Sequence, residues 1–303
     1  MAHHHHHGHH HPPVHGRNLL VTILLNIAIT VAQVIGGLLS GSLALLSDAL
    51  HNFSDVISLI ISFFAHKISH KEASTNKTFG YKRAEIIAAF VNAASLIIVA
   101  IILIKEAIER LLSPEGIHAT TVIWLSLLGI AANGFSVWLL RKDADRNMNM
   151  RSAYLHLFTD MLASIAVLAG GLAIYYFQWF WVDPLLTILI ALYLVYVGYA
   201  LLKTSTRVLM LFTPDSIQVR EIEASIMAIE PVKNVHHVHI WQLNEDEVHL
   251  EAHIDFKEDI LLSQFDAILE QIEREVYQKF GINHVNIQPE FGKCDSKQLI
   301  VQD

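Results

Sequence analysis

Two short stretches of the chain carry the same pair of residues at the same spacing. His51 is followed four residues later by Asp55, and His156 by Asp160. On a helix, positions i and i+4 lie one turn apart on one face. Each pair therefore aims an imidazole nitrogen and a carboxylate oxygen at one point. Two such helices face to face would supply two N and two O ligands, a donor set suited to a tetrahedral divalent cation, zinc above all. Both pairs sit in strongly apolar sequence, where an Asp at the centre of a membrane helix costs roughly 2.5–3.5 kcal/mol on insertion scales. A His hydrogen-bonded to the Asp of its own helix would account for one pair; it does not explain why the pair recurs.

The elements that must hold these pairs follow from charge-free runs. Asn18–Ser47 is thirty residues without a formal charge, too long for one span, and Gly36-Gly37 with Ser40-Gly41-Ser42 breaks it. This predicts helix 1 over 19–39 and helix 2 over 43–66, the second carrying His51 and Asp55. Helix 3 is built mostly on 86–104, helix 4 on 117–140, helix 5 on 152–182 with His156 and Asp160, and helix 6 on 184–202. Each is near the roughly 20 residues needed to cross a bilayer. Hydrophobic residues make up 53% of the 303 and charged residues 17%, with a mean hydropathy of +0.41, values of a membrane protein. Lys67, Lys71, Lys77, Lys82 and Arg83 lie between helices 2 and 3, and Arg141, Lys142, Arg146 and Arg151 between 4 and 5. The positive-inside rule then puts both termini in the cytoplasm.

From residue 208 onward there are 18 acidic and 7 basic residues, against 11 and 14 before it. A basic apolar body with an acidic tail predicts two domains in two environments and excludes nucleic acid as a partner. In the tail, 215–229 reads as a helix, 235–243 and 248–256 alternate as strands, 261–280 is an amphipathic helix stopped by Gly281, and 284–289 is a third strand. The expected fold is an α-helical membrane protein of six transmembrane helices plus a small cytoplasmic α+β domain, αββαβ and ferredoxin- or metallochaperone-like, with both helices on one face of the sheet. The expected divisions are a His-rich tail over 1–18, the membrane domain over 19–207, the cytoplasmic domain over 208–292 and a C-terminal tail over 293–303. Nine His stand in the first eighteen residues, a metal-attracting tract that lacks the features of a signal peptide.

Strict alternation puts His237, His239 and Trp241 on one face of the first strand and His236 with Val238 and Ile240 on the other. His249, Glu251, His253 and Asp255 share a face of the second strand, and Asn286, Gln288 and Glu290 a face of the third. His239, His253 and Glu290 are thus candidates for a metal site on the tail, against the plainer reading of a solvated His-rich face. Asp48, three residues before His51, is read as an outer ligand, a proton partner or a helix-entry residue. Asn26, Gln33, Asn92 and Asn133 are read as hydrogen-bonding across helices. Cys294 is the sole cysteine, so no Cys-rich zinc site is available.

Taken together these features resemble the cation diffusion facilitator family, its zinc-type exporters in particular, over essentially the whole chain. The stretches Ser40–Ala49, Phe79–Glu85 and Val238-His239-Ile240-Trp241 look like typical family sequence. The resemblance implies that His51, Asp55, His156 and Asp160 form the transport site and that a homodimer exchanges metal for protons. It further implies metal in the tail, where His239, His253 and Glu290 match ligand positions. Zinc is then the substrate and also a structural or regulatory ion. The chain departs from some relatives in having no His in the 4–5 loop and a lone Cys294 where others carry paired cysteines. The expected function is secondary active export of divalent metal in exchange for protons, in the bacterial inner membrane. Ligands must shed protons to bind metal, and moving two charges outward against about 100 mV costs about 4.6 kcal/mol, which returning protons offset. The chain has neither GxxxxGK[ST] nor HExxH, so hydrolysis-driven pumping and a metalloprotease are not expected. The alternative is a membrane-bound zinc sensor or storage protein that does not transport.

Overall fold

The computed structural model describes residues 16–144, 148–244, 246–293 and 296–301. The His-rich tract and Cys294 lie outside these residues. Six long helices come first: α1 Gly16–Ser40, α2 Leu43–Ser69, α3 Ala84–Leu112, α4 Ala119–Ala144, α5 Met148–Phe177 and α6 Val182–Leu209. Among the described residues, five are long and apolar enough to cross a membrane, and α1 adds the shorter apolar stretch Leu24–Ser40. The helices run past their charge-free cores into flanking charged residues, which is why α3 and α6 exceed the predicted ranges. The α-helical membrane class with a small C-terminal α+β domain is as expected.

The contacts divide the chain into two units. One holds the chain through Leu59 together with Ser95–Gly198; the other holds Ile60–Ala94 and everything from Tyr199. In the first unit, Leu45, Val122 and Val167 form one buried cluster, and Ala100, Leu103, Ala191 and Leu194 another. Ile98, Ile101 and Ile102 of α3 and Trp124 and Trp138 of α4 remain exposed, as expected of faces meeting lipid. Gly37 permits a close approach at the α1–α2 turn: a Cβ there would sit 3.1 Å from the Leu46 Cα and N. Gly41 takes a φ of +70°, reversing the chain between the helices. The N-terminus of α2 is then satisfied twice. The Ser42 hydroxyl accepts from the Leu45 N–H at 3.1 Å, and the buried Asp183 carboxylate accepts from the Ser42 hydroxyl and from the Leu43 N–H at 2.8 Å.

The second unit contains the C-terminal domain: α7 Val219–Met227, β1 Val232–Gln242, β2 Val248–Phe256, α8 Leu262–Phe280 and β3 His284–Glu290. The sheet order is β1-β2-β3, with β1 antiparallel and β3 parallel to β2. Ile222 and Ile226 of α7 and Phe265, Ile272 and Val276 of α8 share a core with Leu250, Ala252, Ile254 and Phe256. The helices thus cover the apolar face of the sheet and leave the histidine-bearing face to other uses. Gly281 ends α8 in the left-handed conformation, φ 70°, as its position in the sequence predicts.

Candidate metal centre

His51 and Asp55 project from α2, His156 and Asp160 from α5, and the four side chains interlock. His156 Nε2 lies 3.2 Å from Asp55 Oδ2 and 3.5 Å from Asp160 Oδ2. His51 Nδ1 lies 3.6 Å from Asp55 Oδ2, and its Nε2 lies 3.8 Å from Asp160 Oδ1. The two rings meet edge to face at 5.9 Å. A tetrahedron with bonds of about 2.0–2.1 Å has edges of about 3.3–3.4 Å; the two separations from His156 Nε2 fall near that length, whereas the two from His51 start on different ring nitrogens and cannot both be edges of one site. Taking one ligand atom from each, His51, His156 and Asp160 converge within 4.8 Å of one another.

Burial is graded across the group. The Asp160 side chain is 1% exposed, His51 13%, Asp55 31% and His156 42%, so the site has a deep wall and an open side. Both Asp160 oxygens, Asp55 Oδ2 and His51 Nδ1 are buried without a hydrogen bond among the described residues. Buried acceptors left this way are costly unless a cation meets them. This chemistry favours a divalent ion over a hydrogen-bonded staple.

Asp48 is placed apart from the four. It is fully buried and accepts from Gln33 Nε2 of α1 at 3.1 Å and from Ser164 Oγ of α5 at 3.2 Å, both on Oδ2. Asn52 extends the network to Gln33 Oε1 at 3.5 Å. This geometry gives Asp48 a part that the sequence reading did not name, tying α2 to α1 and α5. Gln33 is an interhelical bonder, as expected; Ser164 carried no signal in the sequence. The network is close-fitting, because a Cβ at Gly129 would meet Gln33 Nε2 at 2.8 Å and Ser164 Oγ at 3.0 Å.

On the C-terminal domain the structure corrects the alternation read for β1. His236 pairs with His253 and His239 with Glu251, so two residues of β1 oppose one of β2 between them. His237, at a φ of +51°, is the extra residue of this bulge. The bulge shifts the parity, turning His236 to the same side as His239 and Trp241. His236 Nε2 therefore meets Glu290 Oε2 at 3.2 Å, while His253 Nδ1 meets Glu290 Oε1 at 3.1 Å. These are the three ligand-type residues that converge, within 4.8 Å. His239 is not among them; its ring lies 5.0 Å from that of His237, which stacks on His253 at 4.5 Å.

The same site holds two ammonium groups. Lys297 Nζ lies 3.0 Å from Glu290 Oε2, 3.0 Å from Asp255 Oδ2 and 3.3 Å from His236 Nε2, and Lys293 Nζ lies 2.7 Å from Glu290 Oε1. Burial would raise the Glu290 carboxyl, but bonds from Lys293, Lys297 and Gln288 outweigh it and hold it well below the usual carboxylate range. Burial, against the pull of Glu290, keeps His253 below the ordinary histidine value. A neutral imidazole and an ionised carboxylate are the forms a metal requires, so the donor set fits a zinc-type ion. Lys297 Nζ lies against the same Glu290 oxygen and His236 nitrogen that such an ion would use.

The comparisons with known proteins cover both halves of the chain. The family description "cation efflux transmembrane domain" matches residues 19–210, and "cation efflux protein, cytoplasmic domain" matches 214–291. The chain belongs to the cation efflux, or cation diffusion facilitator, family. A cadmium, cobalt and zinc/H(+)-K(+) antiporter of Bacillus subtilis is 39% identical over 90% of this chain and 88% of its own length. The metal cation efflux system protein CzcD of Cupriavidus metallidurans is 36% identical over 92% and 88%. The zinc transporter ZitB of Escherichia coli is 35% identical over 92% and 89%. Membership makes the chain an integral membrane metal cation transporter rather than an enzyme.

Proposed function

We propose that the chain is a secondary active exporter of divalent metal, zinc foremost, in exchange for protons. His51, Asp55, His156 and Asp160 bind the ion between α2 and α5. The observation that carries this reading is the convergence of one ligand atom each from His51, His156 and Asp160 within 4.8 Å, with Asp55 Oδ2 3.2 Å from His156 Nε2, in a group whose deepest carboxylate has no hydrogen bond among the described residues. Metal enters when the ligands have shed their protons; on the far side protons displace it and return with the ligands. Relatives named for zinc, cadmium and cobalt support a site of mixed N and O donors that prefers borderline metals.

Both termini lie in the cytoplasm on this reading, which the Lys and Arg of the 2–3 and 4–5 loops support. The membrane is the inner membrane of a bacterium, supported by bacterial relatives. The working unit is a homodimer, with domain limits at 19–207 and 208–292. In the C-terminal domain a structural or regulatory ion is held by His236, His253 and Glu290, with His239 in the next rank. Growth of an efflux-deficient bacterium on zinc tests the whole proposal. The native chain restores tolerance, and neither His51→Ala nor Asp160→Ala does. Tolerance restored equally by all three chains would favour the sensor or storage alternative, in which the membrane pairs are dispensable.

A further inference from the structure

Where the apolar run of α2 ends, the helix repeats its i, i+4 logic with a different pair, His66 and His70. Both stand on its last turn or just past it, and Glu85 opens α3. The three come together within the second unit. His66 Nδ1 lies 2.8 Å from Glu85 Oε1, and the imidazole rings of His66 and His70 are 4.3 Å apart. Taking one ligand atom from each, all lie within 4.8 Å of one another. Ser69 Oγ donates to the same Glu85 oxygen at 2.7 Å and so fixes the carboxylate from outside the group. His70 Nδ1 is engaged by the His66 carbonyl at 2.9 Å, which makes Nε2 the nitrogen it offers. His66 is 67% exposed, so ions reach the group directly from solvent.

We infer that His66, His70 and Glu85 form a second divalent-cation site, distinct from the His–Asp site and open to water. Two imidazoles and one carboxylate suit zinc and metals of similar preference, with solvent completing the shell. A clasp between helices would explain the His66–Glu85 contact alone. It gives no reason for the second imidazole, whose Nδ1 is turned to backbone and whose ring lies against the first. Lys67 and Lys71 flank the pair in sequence and weaken cation binding, so the site exchanges its ion readily. The inference does not rest on transport, since it concerns binding only.

The test reads each histidine separately. The full-length chain in detergent is treated with diethyl pyrocarbonate, with and without zinc, and modification of His66 and His70 is followed by mass spectrometry. At zinc about ten times the dissociation constant, occupancy should slow both reactions about tenfold. Asp160→Ala should leave this protection intact, which separates the site from the transport group. Glu85→Gln should remove most of it. His70→Asn, which spares the His66–Glu85 contact, should remove the protection of His66. The inference is overturned if zinc leaves both rates unchanged, or if His66 stays protected in His70→Asn.

Discussion

Replacing Gln33 with Leu removes one of the two donors that meet Asp48, and the cost can be bounded. Interhelical hydrogen bonds inside membranes average about 0.6 kcal/mol in double-mutant cycles and reach about 1.7. Asp48 belongs near the upper end. Its side chain is fully buried, both bonds fall on Oδ2, and Oδ1 has no hydrogen bond among the described residues. The Ser164 hydroxyl keeps Oδ2 bonded in the variant, so Gln33→Leu should destabilise the chain by the worth of the one lost bond, about 1–1.7 kcal/mol. The coupling between Gln33→Leu and Asp48→Asn should be about 1–1.7 kcal/mol. Unfolding of the purified chain in mixed micelles with rising SDS measures the cycle. A coupling within about 0.3 kcal/mol of zero, the range of independent sites, would refute the reasoning and leave Asp48 without its assigned role.

Three further expectations follow from the same geometry. Lys297→Ala should tighten zinc binding to the C-terminal domain by about tenfold, because the ammonium no longer competes for Glu290 and Asp255; competition against a fluorescent chelator, in a chain also carrying Asp160→Ala, would show unchanged or weaker binding if the idea is wrong. Acid should loosen this domain in the presence of a chelator. Burial holds His249 and His253 below the ordinary 6.5, so the unfolded state takes protons first and stability falls as pH drops through 6.5. Glu290, held low by its lysines, adds stability that is complete above its ordinary 4.5 and lost at still lower pH. Hydrogen exchange of the β2 amides, corrected for intrinsic rate, should show less protection at pH 5.5 than at 7.5; equal protection contradicts the assignment. Finally, Gly37→Ala should cost about 1–3 kcal/mol, since the atoms its Cβ would meet include the backbone of Leu46; undiminished thermal stability in detergent would count against the close approach of α1 and α2.

The pairs His51/Asp55 and His156/Asp160 were legible because helical spacing and membrane energetics are both local. Each pair is complete within five residues, and an apolar setting makes any ionisable group informative. The αββαβ order was legible for the same reason, from alternation and from Gly281. What escaped depends on contacts or on backbone detail. Nothing in the residue types marks His237 for a left-handed bulge, and that one residue decides whether His236 lies on the side of the sheet that carries Glu290. The Asp48 network joins α1, α2 and α5, with Ser164 lying 116 positions from Asp48. Lys297 reaches Glu290 because the segment after β3 returns along β1, where the His237 and Val238 N–H groups donate to the Gln298 and Leu299 carbonyls. The His66/His70 pair was readable from its spacing alone, but it lies among lysines at the end of α2 and its partner Glu85 belongs to the next helix.

On the proposed reading, the interlocked His–Asp group carries metal across the membrane in exchange for protons. Zinc flux in sealed proteoliposomes with an imposed pH gradient tests it most directly, comparing the native chain with Asp160→Ala. Gradient-driven zinc movement with counterflowing protons is expected in the native protein and none in the variant. Equal flux through both would contradict it.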